Sequence, residues 1–180
     1  MPAFRTLGEL MPQPCRSTWR AAACAGLALL LAGGARAGAL AVDGFSPGMS
    51  RAEASVIRPE ARWKEEPTGD SRHVTQKVFA SSRFGRAATV GVNLDPGGSF
   101  VRSINVNFET ESDIACIEGA AAVLKDLDSE YGRPSEAREE MPSIWARWNL
   151  GAGQSVKWVE ICAVGARRFY VSYFIEDAGR

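Results

Sequence analysis

The feature that most constrains the fold is the alternation of apolar and polar residues over residues 103–109 of the stretch VRSINVNFE, residues 101–109. Successive side chains of a β-strand point to opposite faces of the sheet, so one face of this strand is apolar and the other is polar. The apolar set is Ile104, Val106 and Phe108, and the polar set is Ser103, Asn105, Asn107 and Glu109. We therefore predict an antiparallel sheet that is buried on one face.

Helix and strand signals divide the chain into two similar parts. A capping-box spacing at Ser50 and Glu53 starts a helix that Pro59 ends, and Ser112 and Gly132 delimit a longer helix. Three runs with strand character follow each helix: HVTQKVFA, ATVGVNL and VRSINVNFE, then SIWARWNL, SVKWVEICAV and RRFYVSYFIED. We predict an α+β fold of two helix-then-three-strand units, with the helices packed on one face of the antiparallel sheet.

The longer helix and the repeat boundaries give two further expectations. The second helix has one predicted apolar stripe, formed by Ile114, Ile117, Ala121, Leu124, Leu127 and Tyr131. The units form a single α+β domain at residues 38–180, with two possible repeats at residues 45–110 and 111–178.

Residues 1–37 have the parts of a secretory signal peptide. Arg16 and Arg20 precede the apolar run AAACAGLALLLA, and an Ala-x-Ala end follows it. We predict cleavage after Ala37, with either Met1 or Met11 as the true start. The alternative is a retained anchor, but a membrane-spanning helix needs roughly 20 apolar residues and this run is shorter. The expected location is periplasmic or secreted, with no transmembrane segment after cleavage.

Charge and motifs exclude several functions. The chain has 21 basic and 21 acidic residues, and loss of the arginine-rich leader makes the remainder mildly acidic. A nucleic-acid-binding protein needs a basic surface, so no nucleic acid partner is expected. The single histidine, His73, has no cysteine or aspartate cluster at ligand spacing, and no catalytic or phosphate-binding motif is present. We predict no enzyme activity, no metal site and no cofactor.

Two cysteines remain beyond the leader, Cys116 in the second helix and Cys162 in a strand. In an oxidising compartment an even number of cysteines favours a disulfide. The alternatives are two buried free thiols or a redox pair, although no Cys-x-x-Cys spacing supports a redox pair.

Half of the aromatic residues of the predicted mature chain lie in residues 145–174. Alternation sends Trp145 and Trp148 to opposite faces of the sheet, so one ring lies away from the core if helices cover only one face. Tryptophan, tyrosine and arginine dominate many binding surfaces. The candidate partner-binding residues are Trp145, Arg147, Trp158 and Tyr170. The alternative is that both faces are covered, or that the rings only stabilise the sheet through cross-strand pairs.

Two short motifs carry a family resemblance. GMSRAEA at residues 48–54, and a helix that closes in EYGRP at residues 130–134, resemble the small secreted α+β domains that include the outer-membrane lipoprotein of the β-barrel assembly machinery and the β-lactamase-inhibitor proteins. The resemblance implies helices on one face of an antiparallel sheet and a role in binding other proteins. The chain lacks the lipid-bearing cysteine of the lipoprotein, and the inhibitors' enzyme-blocking residues have no match in it.

These observations favour a non-enzymatic periplasmic or secreted module of the cell envelope that binds an envelope protein. One alternative is a carrier of a small apolar or lipid ligand held between the sheet and the helices. A second is an enzyme with an unrecognised site, which would need a pocket that gathers acids such as Asp126 or Glu160 with perturbed pKa values.

Overall fold

A computed structural model of the protein describes residues 40–67 and 73–176. The predicted signal peptide, residues 1–37, lies outside the described residues. Within the described residues, no helix combines the length and the apolar character that crossing a membrane requires.

Eight antiparallel strands form one sheet, accompanied by two α-helices. Helix α1 is Arg51–Val56 and helix α2 is Asp113–Tyr131. The strands, numbered β1 to β8 in chain order, are Trp63–Pro67, His73–Arg83, Arg86–Leu94, Val101–Glu109, Glu136–Glu140, Ser143–Gly151, Gln154–Ile161 and Arg168–Ile175. Across the sheet their order is β1-β2-β3-β4-β8-β7-β6-β5.

The α+β class and the antiparallel sheet are confirmed, whereas the prediction of three strands per unit is wrong. Helix α1 is followed by β1 to β4, and α2 by β5 to β8. The two strands that were not predicted, β1 and β5, form the edges of the sheet. Their sequences, WKEEP and EAREE, show no apolar alternation because nearly all their side chains are exposed. A duplication of residues 45–110 and 111–178 stays a prediction.

Helix α1 is fixed by its two ends. Ser50 and Glu53 form the predicted capping box, in which each side chain accepts a hydrogen bond from the other residue's backbone N–H. Beyond the last turn, the Nζ of Lys77 from β2 donates to the carbonyl oxygens of Ile57 at 2.8 Å and Arg58 at 3.2 Å. The buried ammonium therefore satisfies carbonyl groups that the end of a helix leaves unpaired.

Helix α2 packs against β7 and β8, on the same face of the sheet as helix α1. We call this face the covered face. Its buried residues are Cys116, Gly119, Ala120, Val123 and Leu127. The predicted stripe is wrong over its first half, because Ile114 is 71% exposed, Ile117 is 52% exposed and Ala121 is also exposed. Gly119 brings the helix backbone close to the sheet, since a Cβ atom at this position would lie 3.1 Å from the ring of Phe169.

A disulfide between Cys116 and Cys162 joins the first turn of α2 to the residue that follows β7, which confirms the predicted pairing. The two Cα atoms are 5.6 Å apart, within the range that a disulfide requires. Both cysteines are buried in the core between the helices and the covered face. The largest side chains of that core are Trp148, Trp158, Tyr173, Phe45, Lys77, Phe108 and Phe169.

Candidate functional site

Neither helix covers the second face of the sheet, which we call the open face. In β8, Tyr173 belongs to the core, whereas Tyr170 on the opposite face is only partly buried. Asn107 of β4 pairs with Tyr170, and Asn105 pairs with Ser172, so the polar residues of β4 share this face. The open face therefore combines the polar side of the central strand with aromatic residues from the second half of the sheet.

Three of the four predicted partner-binding residues lie close together on the open face. Trp145 of β6 pairs with Val159 of β7, and Val159 pairs with Tyr170 of β8. Arg147 lies two residues further along β6 and pairs with Lys157. Trp145, Arg147 and Tyr170 are all partly buried, so part of each side chain is accessible to a partner.

The fourth residue, Trp158, lies on the covered face, so its prediction as a partner-binding residue is wrong. It is 2% exposed and pairs with the buried residues Ala146 and Val171. Strand β7 has apolar residues on both faces, including Val159 on the open face, so alternation alone does not show which side is the core side. Trp158 is a core residue.

Two cations contact the ring of Trp145. The Nζ of Lys157 lies 4.4 Å from the ring centroid, and the Cζ of Arg138 lies 5.6 Å from it. The cations come from opposite sides, because β5 and β7 lie on either side of β6. Arg138 also forms ion pairs with Glu136 and Glu140, and its hydrogen bond with Glu136 is the main cause of its raised pKa. Attraction between the cations and the ring orders these side chains.

Arg147 lies against an aromatic ring and a carboxylate. Its Cζ is 5.6 Å from the ring centroid of Phe174, and its Nη2 forms an ion pair with the Oε1 of Glu176. The same oxygen of Glu176 accepts a hydrogen bond from the Ser155 hydroxyl at 2.5 Å. The Nε of Arg147 is buried and has no hydrogen-bond partner among the described residues. We call the following six residues the aromatic–basic cluster: Arg138, Trp145, Arg147, Lys157, Tyr170 and Phe174.

Toward the centre of the sheet, the open face carries small polar residues. The Ser172 hydroxyl donates a hydrogen bond to the Oδ1 of Asn105 at 2.6 Å. Two grooves of about 870 and 410 Å³ adjoin here, and both are lined by Arg102, Ser103 and Asn105. The smaller groove is also lined by three residues of the aromatic–basic cluster: Lys157, Tyr170 and Phe174. A partner of sufficient size could therefore contact the cluster and the groove together.

Arg138 and Glu176 are not among the residues predicted from the sequence. Arg138 lies in an edge strand without apolar alternation, and Glu176 follows the last residue of β8. The alternation of charge in EAREE is the signal that could indicate Arg138, because it places an arginine between carboxylates on one side of a strand. For Glu176 the sequence offers no comparable signal, since its contact with Arg147 depends on the pairing of β6, β7 and β8.

Glu160 and Asp126, the acids named above for the enzyme alternative, do not line the two grooves. Within residues 40–67 and 73–176, no group of three or more His, Cys, Asp or Glu residues could hold a metal ion. Burial raises the pKa of Glu160. Its neighbours across the sheet are Ile144 and Phe169, and neither is a titratable residue. Asp126 is an exposed residue of α2.

Comparisons with protein-family models, with curated proteins and with solved structures gave no match. The resemblance based on GMSRAEA and EYGRP stays a prediction.

Proposed function

We propose that the protein is a non-enzymatic module of the cell envelope, periplasmic or secreted, that binds another protein through its open face. The observation that carries the proposal is the aromatic–basic cluster, which lies on the face that neither helix covers. Tryptophan, tyrosine and arginine are the residue types that most often dominate the energy of protein interfaces. Trp145 and Arg147 of β6, together with Tyr170 of β8, supply all three types across the intervening strand β7.

The side chains of the cluster are ordered before any partner binds. Trp145 contacts Lys157 and Arg138, and Arg147 contacts Phe174 and Glu176. Side chains that are already ordered lose less conformational entropy on association. A purely structural role would explain the rings, because aromatic cross-strand pairs stabilise a sheet. A binding role accounts in addition for the accessible cations that contact two of these rings on an uncovered face.

Two features support a location outside the cytosol. The sequence predicts a signal peptide at residues 1–37. The disulfide between Cys116 and Cys162 is of a kind that persists in oxidising compartments.

Site-specific photo-crosslinking in intact cells tests the proposal. A benzophenone amino acid at Asn107, an exposed residue that pairs with Tyr170 on the open face, should give one dominant protein adduct. The matched control has the same amino acid at Ala122, an exposed residue of α2. Adducts at Ala122 alone, or the same mixture of adducts at both positions, would overturn the proposal.

The carrier alternative places an apolar ligand between the sheet and the helices. The two grooves described above lie on the opposite face, while rings of the covered face pack directly together, as Phe108 and Phe169 do with centroids 4.7 Å apart. Native mass spectrometry of protein recovered from its own envelope checks this alternative. A bound lipid would appear as added mass, and its consistent presence would favour the carrier function.

A further inference from the structure

We infer that the open face binds an acidic segment of the partner protein, and that Glu176 occupies the position of one partner carboxylate in the free protein. This inference rests on the proposed function and names the chemistry of the partner. Its basis is the set of charges and contacts around Trp145 and Arg147.

The Trp145 ring is placed to hold cations rather than to stack on a ligand. Lys157 and Arg138 contact it from the strands on either side of β6. A sugar or a nucleobase would need a free ring face for stacking, and both cations lie within cation–π distance of this ring. Arg138 is neutralised by Glu136 and Glu140, whereas Lys157 also lines the smaller groove. The cluster therefore presents an ammonium group beside the groove.

Glu176 shows how a carboxylate binds at this surface. Its Oε1 contacts the Nη2 of Arg147 and accepts a hydrogen bond from Ser155. The residue lies just beyond the end of β8, and its side chain is 42% exposed. The Arg147 side chain is 26% exposed, so the pair is partly open to solvent, and ion pairs that reach solvent contribute little to stability. A carboxylate of the partner could therefore replace Glu176 with only a small loss of stability in the free protein.

The guanidinium of Arg147 has an unpaired N–H donor that such a replacement could use. Guanidinium groups bind carboxylates most strongly through two parallel N–H···O bonds. Glu176 contacts Nη2, while the neighbouring Nε is buried without a hydrogen-bond partner in the described part of the chain. Buried polar groups normally form hydrogen bonds, so an unbonded one is unusual in a folded protein. A partner carboxylate that displaced Glu176 would bind Nη2 and, where that displacement uncovers Nε, would satisfy this donor as well.

The groove next to the cluster suits the backbone of such a segment. Its floor contains hydroxyl and amide groups from Ser103, Asn105 and Ser172, which can exchange hydrogen bonds with peptide groups. Arg102 lines the same groove, so basic residues continue beyond Lys157. Complementary charge of this kind favours an acidic partner over a neutral or basic one.

Fluorescence anisotropy with a labelled oligoglutamate peptide tests the inference, using the protein without its signal peptide. An oligoserine peptide and an N-acetylglucosamine oligosaccharide serve as neutral probes. We expect binding of oligoglutamate only. Because charged contacts at an interface are lost with the side chain, Lys157→Gln should weaken this binding by about tenfold. Lys64→Gln, on the open-face side of edge strand β1, should change it little.

Two carboxylate variants separate a local effect from a general charge effect. Glu176→Gln should strengthen oligoglutamate binding by about fivefold, because it frees Arg147 for a charge-assisted hydrogen bond. Glu140→Gln makes the same change of charge at the Arg138 ion pair and should have a smaller effect. Thermal unfolding of each variant establishes that it is folded.

The outcomes distinguish this inference from the proposed function. Equal effects of Glu176→Gln and Glu140→Gln, or oligoserine binding as tight as that of oligoglutamate, would overturn the inference. An adduct at Asn107 without any oligoglutamate binding would overturn the inference and leave the proposed function supported. Oligoglutamate binding that depends on Lys157, with no adduct at Asn107, would support the carboxylate site and overturn the proposed function.

Discussion

Individual cations serve two purposes in this protein. On the open face, Lys157 and Arg147 lie against Trp145 and Phe174, where they remain within reach of a partner. On the covered face, Lys77 is 1% exposed and its Nζ lies 5.3 Å from the ring centroid of Trp63. The same attraction between a cation and a ring therefore orders a surface in one place and a buried helix end in the other.

Replacing Lys77 with methionine should destabilise the protein. The Nζ of Lys77 donates to the carbonyl oxygens of Ala54, Ser55, Ile57 and Arg58, at distances from 2.8 to 3.5 Å. Without this donor the acceptors are left unpaired near the core, which costs about 1–3 kcal/mol. We expect Lys77→Met to lower the free energy of unfolding in urea by about 2 kcal/mol. The exposed Lys64→Met is the control, and equal stabilities of the two variants would contradict this account.

At the scale of elements, alternation predicts the strands that are buried on one side. The pattern of β4 gives its two faces directly, and the capping box and the second helix are also readable from the sequence. The edge strands β1 and β5 are not, because most of their side chains are exposed and no apolar period arises. The predicted buried face of α2 is wrong over its first half, because Gly119, which has no Cβ atom, packs against the sheet while Ile114 and Ile117 are exposed.

The candidate site is predictable only in part for the same reason. Alternation predicts that Trp145 and Tyr170 lie on the open face once Trp148 and Tyr173 are placed in the core. Trp158 does not, because β7 has apolar residues on both faces. The contacts that complete the cluster depend on which strands are neighbours. The sequence of β5 or β6 alone does not predict that these two strands pair.

Removal of the disulfide should lower the stability of the fold. The two cysteines are separated by 46 positions, and closing a loop of this length stabilises by about 4 kcal/mol in the chain-entropy model. The double variant Cys116→Ala, Cys162→Ala should therefore unfold at a lower urea concentration than the oxidised protein. Alanine is chosen because both positions are buried. Unchanged stability would show that the disulfide does not hold α2 on the sheet.

At the scale of the whole described domain, the two faces of the sheet carry different features. The covered face holds the helices, the disulfide and the largest buried side chains. The open face holds the aromatic–basic cluster and the grooves. Because the core lies against the covered face, substitutions of accessible residues in the aromatic–basic cluster should alter the proposed binding with little effect on folding.

The three tyrosines predict how stability changes at alkaline pH. Burial raises the pKa of Tyr131, Tyr170 and Tyr173, Glu130 adds to the rise at Tyr131, and Arg83 and Arg168 oppose these effects. The unfolded chain loses these protons near pH 10, before the folded chain does. Their contribution to stability is therefore fully present below about pH 10 and is lost as the pH rises through the folded pKa values. Burial lowers the pKa of Lys77. Its contribution to stability therefore changes in the opposite direction, and it rises as the pH increases from the folded pKa to the unfolded pKa.

An alkaline titration followed by two signals checks this prediction. Tyrosinate absorbance and far-ultraviolet circular dichroism should change in one transition, because the tyrosines ionise when the sheet unfolds. Full tyrosinate absorbance in a protein that keeps its circular dichroism would contradict the raised pKa values of the three side chains.

The central claim is that the open face binds a partner through the aromatic–basic cluster. The most direct test is the affinity of Trp145→Ala for the protein captured at Asn107, compared with Val78→Ala. Val78 is 47% exposed on the open face but lies outside the cluster. The account predicts a loss of about 30-fold, or about 2 kcal/mol, for Trp145→Ala and little change for Val78→Ala. Equal affinities of a folded Trp145→Ala variant and the unaltered protein would contradict it.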